Sequence, residues 1–246
     1  MATMSFKKTA EEIKTQPAEV TDIVVVEPKP LATRSEPQGD VNGYFSMRDI
    51  KLPRISIVQK ISEDASVFGA GAIVFNREVK LAIEGQKIPV TFLRIDKQFE
   101  EKLPIGAERM PDIKETPDEV LQAGGSLKYG DPNYYQEIAH IQAVIPKPEN
   151  ASDQEALLFP YEAPDGKWFG LALWTVRSTA YTPVVPTLYT ANKMFLKDGL
   201  CNGSWDLSTE KRTNLKGSWH VPAIRFNGRH QGEMQEFMNH LRNGGN

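Results

Sequence analysis

The ten residues Ile88-Pro-Val-Thr-Phe-Leu-Arg-Ile-Asp-Lys97 constrain this chain most, because they carry apolar side chains on both faces of what the β-branched content marks as a strand. A strand that is apolar on both faces has to be covered on both sides, so it sits in the middle of a sheet or between layers. Similar signals surround it. Leu52-Pro-Arg-Ile-Ser-Ile-Val-Gln-Lys60 is a β-branched run entered through a proline, and Ala72–Asn76 is a second such run. Tyr134–Ile145, Ala156–Tyr161 and Trp168–Val176 follow, the last two joined by the turn Pro164-Asp165-Gly166 as a hairpin.

Helices are few. Thr116-Pro117-Asp118-Glu119 is a capping box with proline at the first helical position, inside an excursion from the sheet over 100–133, and Gly124-Gly125 stops that helix. From Pro186 the period turns helical, with Leu188, Ala191 and Phe195 on one side and Lys193 and Lys197 on the other, up to Gly199. Short strands follow at Ser204–Leu207 and Ser218–Ile224. The final helix has a stripe of Met234, Phe237, Met238 and Leu241, acids early and His240 and Arg242 late, as the helix dipole favours. This order of elements predicts a mainly β fold: an elaborated, partly open barrel of the OB type with a helix between late strands and a C-terminal helix, or a β-sandwich in its place.

Residues 1–43 read differently. Ser5–Lys14 suits a short amphipathic helix and Asp22–Val26 is a brief β-branched run, but Glu27-Pro-Lys-Pro-Leu-Ala-Thr-Arg-Ser-Glu-Pro37 has three prolines in eleven residues and too little apolar surface to offset ordering entropy. The expected organisation is an N-terminal arm with a proline-rich linker over 1–43 and one globular domain over 44–246. The Ile23–Val26 run could add as an edge strand to another copy, giving a homo-oligomer, or dock on a neighbouring subunit of a structural assembly.

Catalytic signatures are missing. There is no phosphate loop, no H-E-x-x-H, no C-x-x-C, and Gly69-Ala-Gly71 has no third glycine at dinucleotide spacing. The histidines at 140, 220, 230 and 240 place no two on one helical face, so no metal site is expected. Cys201, the single cysteine, has no base near it in sequence and reads as a buried or turn residue. With no run of about 18 apolar residues and no apolar leader at the start, the expectation is a cytoplasmic protein without cofactor that binds rather than catalyses.

The charge distribution suggests what is bound. Net charge is −3, yet 166–231 holds nine lysines and arginines against three acids. All four tryptophans lie there too. Cations that follow phosphates and rings that stack on bases are the two requirements for holding single strands. The candidate interface is Trp168, Trp174, Arg177, Lys193, Trp205, Lys211, Arg212, Lys216, Trp219 and Arg225. On the Trp168 strand, Trp168, Gly170, Ala172 and Trp174 share one face, which could present flat rings separated by small residues, while Phe169, Leu171 and Leu173 take the core face. Tryptophans on a strand serve equally well as core, and Lys/Arg loops as solvated surface.

Leu52–Lys60, Ile88–Lys97, Leu127-Lys-Tyr-Gly-Asp-Pro132 and Trp174-Thr-Val-Arg-Ser-Thr-Ala-Tyr181 together resemble a group of bacteriophage proteins over about 50–245. Some of that group look like OB-type single-stranded DNA-binding proteins. The resemblance implies a role in phage DNA replication or recombination, in the host cytoplasm, alongside replication or recombination proteins. Certain relatives carry paired cysteines after the Gly-Asp-Pro turn. Here Asn133-Tyr-Tyr-Gln-Glu-Ile-Ala-His140 follows instead, so no zinc site is implied.

Overall fold

The doubly apolar strand is the centre of the molecule. In a computed structural model that describes residues 51–104, 106–215 and 217–244, β4 (Ile88–Glu101) pairs with two long neighbours. Numbered along the chain, the strands before it are β1 (Ile55–Ile57), β2 (Ile73–Phe75) and β3 (Val79–Ala82). Those after it are β5 (Ile113–Lys114), β6 (Tyr135–Pro146), β7 (Tyr161–Glu162), β8 (Trp168–Arg177), β9 (Gly203–Asn214) and β10 (Gly217–Arg229). The helices are α1 (Ala65–Phe68), α2 (Pro117–Gln122), α3 (Asp153–Ala156), α4 (Tyr181–Met194) and α5 (Gly232–Arg242). A seven-stranded antiparallel sheet runs β10-β9-β4-β6-β8-β7 with β5 added to β4, and β1-β2-β3 form a second antiparallel sheet.

A bulge between Phe92 and Arg94 explains why β4 obeys no strict alternation. Val90 and Phe92 face the main core, and after the extra residue Ile95 faces it again, while Leu93 is buried on the other side. The main core joins Phe75, Phe92, Ile141, Trp174 and Trp205 beneath α4. The second core sets Leu93, Val144 and Phe169 against Met238 and Leu241 of α5, whose stripe lies where the sequence puts it.

The two sheets meet through β1. Leu173 N–H donates to Pro53 O at 2.8 Å, and Arg54 bridges Leu173 in parallel. On its other side Gln59 imitates a backbone: Nε2 donates to His220 O at 2.9 Å and Oε1 accepts from His220 N–H at 3.0 Å. Strand β1 therefore lies between β8 and β10, although the strand order closes no barrel among the described residues.

Several boundaries differ from expectation. Helix α4 starts at Tyr181, five residues before Pro186, which lies inside it. Pro183 falls in the first turn, where N–H groups have no intrahelical partner, so only Pro186 costs a hydrogen bond. Of the expected strand Ala156–Tyr161, Ala156 ends α3, which a full capping box between Ser152 and Glu155 starts, a turn follows, and only Tyr161 enters the short strand β7, which pairs with β8 as the expected hairpin. At the anticipated box, Thr116 accepts from Glu119 N–H at 3.2 Å, but the Glu119 carboxylate accepts from Glu115 N–H, so only half of it forms. The two late strands are longer than expected: β9 runs on past the core through the exposed Glu210–Asn214, and β10 runs on past Ile224 to Arg229, paired with the start of β9. The arm and linker over 1–43, the start of the globular part at 44, and Lys216 lie outside the described residues.

Candidate nucleic-acid interface

The ten expected residues do not form one surface. Trp205 is 1% exposed, its ring at 5.9 Å from Phe92 and 5.3 Å from Phe226 between ring centroids. Trp174 is 3% exposed and stacks on Phe92. Both are core residues, which corrects their assignment as base platforms. The physical reason lies in the small residues between the rings. A side chain at Gly170 would meet the Leu158 carbonyl oxygen at 2.5 Å and the Phe159 and Phe75 rings just beyond. Gly170 and Ala172 are slots for close packing, not gaps in an open platform, and the strand face with Trp174 is the main-core face. Phe169 and Leu171 face α5.

Trp168, at the start of that strand, is half-exposed and far along it from the others. Lys193 on α4 lies over the Tyr189 ring at 5.6 Å. Arg225 is exposed on β10, opposite Asp206. Lys211 and Arg212 are exposed near the end of the β9–β10 hairpin, where Arg212 lies directly across from Trp219.

What the fold does bring together is a cleft of about 740 Å³. Strand β1 forms one wall with Ile55, Ile57 and Gln59, and β10 forms the other with Trp219, His220 and Pro222. Arg177 and the turn Ser178–Ala180 close its end, with one edge of Trp174 in the wall. Ser178 and Thr179 also line a second cleft of about 460 Å³, together with Tyr181, Tyr134, Tyr129 and Lys102. Trp219, Tyr181 and Tyr134 are partly exposed, and Tyr129 is 85% exposed, edge-on to Tyr134.

The junction is tightly built. Ser178 has φ +51°, a left-handed conformation uncommon for a non-glycine residue and often found at functional sites. Its Oγ donates to Gln136 Oε1 at 3.0 Å, and buried Gln136 donates in turn to Glu100 Oε2 at 2.7 Å. Glu100 accepts two hydrogen bonds from Arg177 Nη1, at 3.0 and 3.2 Å, so the guanidinium is held over the junction with its charge already paired. Lys97 pairs with Glu137 and lies over the Phe99 and Tyr181 rings at 5.1 and 6.0 Å. Burial pulls the Lys97 pKa down, but Glu137 and Tyr181 outweigh it and the net shift is upward. Burial raises the Tyr181 phenol. Lys102 makes no ion pair among the described residues.

Tyr129, Tyr134, Tyr181, Lys97 and Lys102 were not among the expected residues. The excess of positive charge lies over 166–231, whereas the second cleft is assembled from Lys102 after β4, the 128–134 turn, the start of β6 and the start of α4. A signal was present in Tyr129 and Tyr134 flanking a Gly-Asp-Pro-Asn turn, which exposes side chains.

Cys201 is buried in a turn, and its Sγ–H donates to Asn239 Oδ1 at 3.3 Å while burial raises its pKa, so it is no nucleophile. Among the described residues no group of His, Cys, Asp and Glu could hold a metal ion, and no helix is long and apolar enough to cross a membrane. No protein-family model, curated protein or solved structure matches the chain significantly.

Proposed function

We propose that the chain binds single-stranded DNA across the two adjoining clefts, from Trp219 to Tyr129. One observation carries this reading: two adjoining clefts share Ser178 and Thr179 and present four partly or fully exposed rings, Trp219, Tyr181, Tyr134 and Tyr129, beside Arg177 and Lys102, with Lys97 against the Tyr181 ring. Rings at intervals along an open groove suit successive unpaired bases, whatever their sequence. The placement of β1 between β8 and β10 supports reading the fold as an elaborated, partly open OB-like barrel, with the long β9–β10 hairpin flanking the groove. The resemblance in β1, β4 and β8 supports a role in bacteriophage DNA replication or recombination in the host cytoplasm.

Stacking carries more of this affinity than charge does. Arg177 and Lys97 already have carboxylate partners, which leaves Lys102, Lys211 and Arg212 as the main phosphate contacts. About three contacts correspond to a slope of log affinity on log salt near −2 for a single strand. The test is fluorescence anisotropy of labelled oligo-dT with the full chain. Wild type should bind with that shallow slope, and Trp219→Ala and Tyr181→Ala should each weaken binding about tenfold, as loss of one stacked base implies. No binding at tens of micromolar protein in low salt, or affinities unmoved by both variants, removes the reading.

A further inference from the structure

A separate cavity of about 550 Å³ lies on the α5 side of the sheet, on the opposite face of β8 from the Trp174 wall. Its size is that of small-molecule sites. Phe169, Met234 and Met238 line it, and Pro89, Pro146 and Pro148 add rigid walls without N–H donors. Trp168, whose 40% exposure goes unexplained by packing, contributes a ring at the rim.

Two features restrict what such a cavity can take. Its charged residues balance: Lys147 and Lys167 against Glu149 and Asp165, with Lys167 Nζ 2.8 Å from Asp165. It is therefore no anion site. Its polar groups are concentrated instead in Thr91 and His230, whose Oγ1 and Nε2 are 2.7 Å apart, with Ser204 beside them. Thr91 is 4% exposed, and burial lowers the His230 pKa, which favours the neutral imidazole. A neutral imidazole with one nitrogen engaged by a hydroxyl has one nitrogen over, a donor in one tautomer and an acceptor in the other. A purely apolar guest would leave that group unpaired at a cost.

We propose that this cavity binds an uncharged, planar, hydrogen-bonding heterocycle of nucleoside size, with its ring against Trp168 and its polar edge at His230 and Thr91. The guest is a free nucleoside or the base of an everted or terminal nucleotide. The site is distinct from the cleft and does not depend on it.

The experiment uses the full chain with ¹³C-labelled methionine methyls, titrated with thymidine, deoxyadenosine, toluene and short oligo-dT with and without a terminal abasic nucleotide. Saturable shifts at Met234 and Met238 with a nucleoside are expected, weakened about tenfold in Trp168→Ala. Shifts from the oligonucleotide that vanish with the abasic end, without a response to free nucleosides, support the site with a chain base as guest. Toluene saturating the same methyls as well as a nucleoside would show an unselective apolar void and overturn the proposal. Absence of saturable shifts with nucleosides and oligonucleotides alike, in protein with a dispersed methyl spectrum, overturns it too, as do shifts equal in wild type and Trp168→Ala. Tyr134→Ala should weaken oligonucleotide binding and leave the nucleoside titration unchanged, so the cleft and the cavity fail separately.

Discussion

The sheet and the 102–134 lobe beside it are held by opposite kinds of contact. In the sheet, large buried rings and aliphatic side chains of β4, β6, β8 and β9 fill one continuous apolar core. Among the described residues of the lobe only Val120 is buried, in a small apolar cluster with Phe99 of β4 and Tyr135 of β6, and polar pairs do the rest. Glu101 accepts from Arg109 at 2.6 Å and from Asp112 N–H at 3.3 Å. Tyr135 O–H donates to Asp112 at 3.0 Å, and Lys114 pairs with the same carboxylate at 2.8 Å. The first region depends on volume and the second on ionisation, and the proposed DNA cleft takes a wall from each.

Removing a sheet ring tests the first half of that contrast and should have the largest effect. Trp205→Ala should destabilise the whole domain by about 3–5 kcal/mol, the usual range for emptying a buried Trp or Phe site. Urea unfolding followed by far-UV circular dichroism reads it. A loss below about 1 kcal/mol would mean that the core collapses around the gap and that the sheet is less rigid than its packing implies.

The same contrast governs what the sequence disclosed. Strands β4 and β6 and helix α5 were legible because their apolar periodicity is dictated by burial against the sheet. The exposed Glu210–Asn214 end of β9 and the Arg225–Arg229 end of β10 carry no such signal, so the full length of these strands was not visible. On β8 the alternation was legible but its sign was not. Gly170 and Ala172 look alike whether they open a platform or admit Phe75 and Phe159, and only the partner elements decide. The lobe's network joins Glu101, Arg109, Asp112 and Tyr135 across 34 positions of sequence, and the cleft joins Arg177 to Tyr134. Pairings of that kind follow from tertiary placement, which local patterns do not encode.

The cleft lets the two regions be compared in binding. Tyr134 belongs to the lobe and Trp219 to the sheet hairpin. If both hold bases, Tyr134→Ala should weaken oligo-dT binding by about tenfold while leaving the unfolding midpoint nearly unchanged. A midpoint that falls with the affinity would assign Tyr134 to packing, not to stacking. A smaller, local effect is expected from Glu101→Gln. Arg109 is mostly solvent-exposed and the pair is screened, so global stability should barely move. Amide exchange over 107–114 should quicken severalfold while β6 and β8 keep their protection. Equal acceleration in the sheet would mean that lobe and sheet open as one unit.

Acidification should separate the regions by pH, with the smallest effects of all. Burial lowers the pKa of His140 on β6 and of His230 after β10. The unfolded chain takes up those protons near the ordinary imidazole value of about 6.5, and the folded chain does so only lower. The sheet's stability therefore declines as pH falls through about 6.5 and levels off once the folded values are passed. In the lobe the Arg109 guanidinium holds the Glu101 carboxyl below its usual range, and Lys114 does the same for Asp112. Their contribution is complete above the ordinary carboxylate value of about 4 and is lost only as pH falls further, through the folded values. Hydrogen exchange corrected for intrinsic rate should show sheet amides loosening slightly between pH 7 and 5 while 107–114 stays protected. Below pH 4 the lobe should open first, because the apolar core has no carboxylate to protonate. Lobe opening already at pH 5 would show that its ion pairs are too well hydrated to hold those carboxyls down, and the contrast between the two regions would reduce to one of exposure alone.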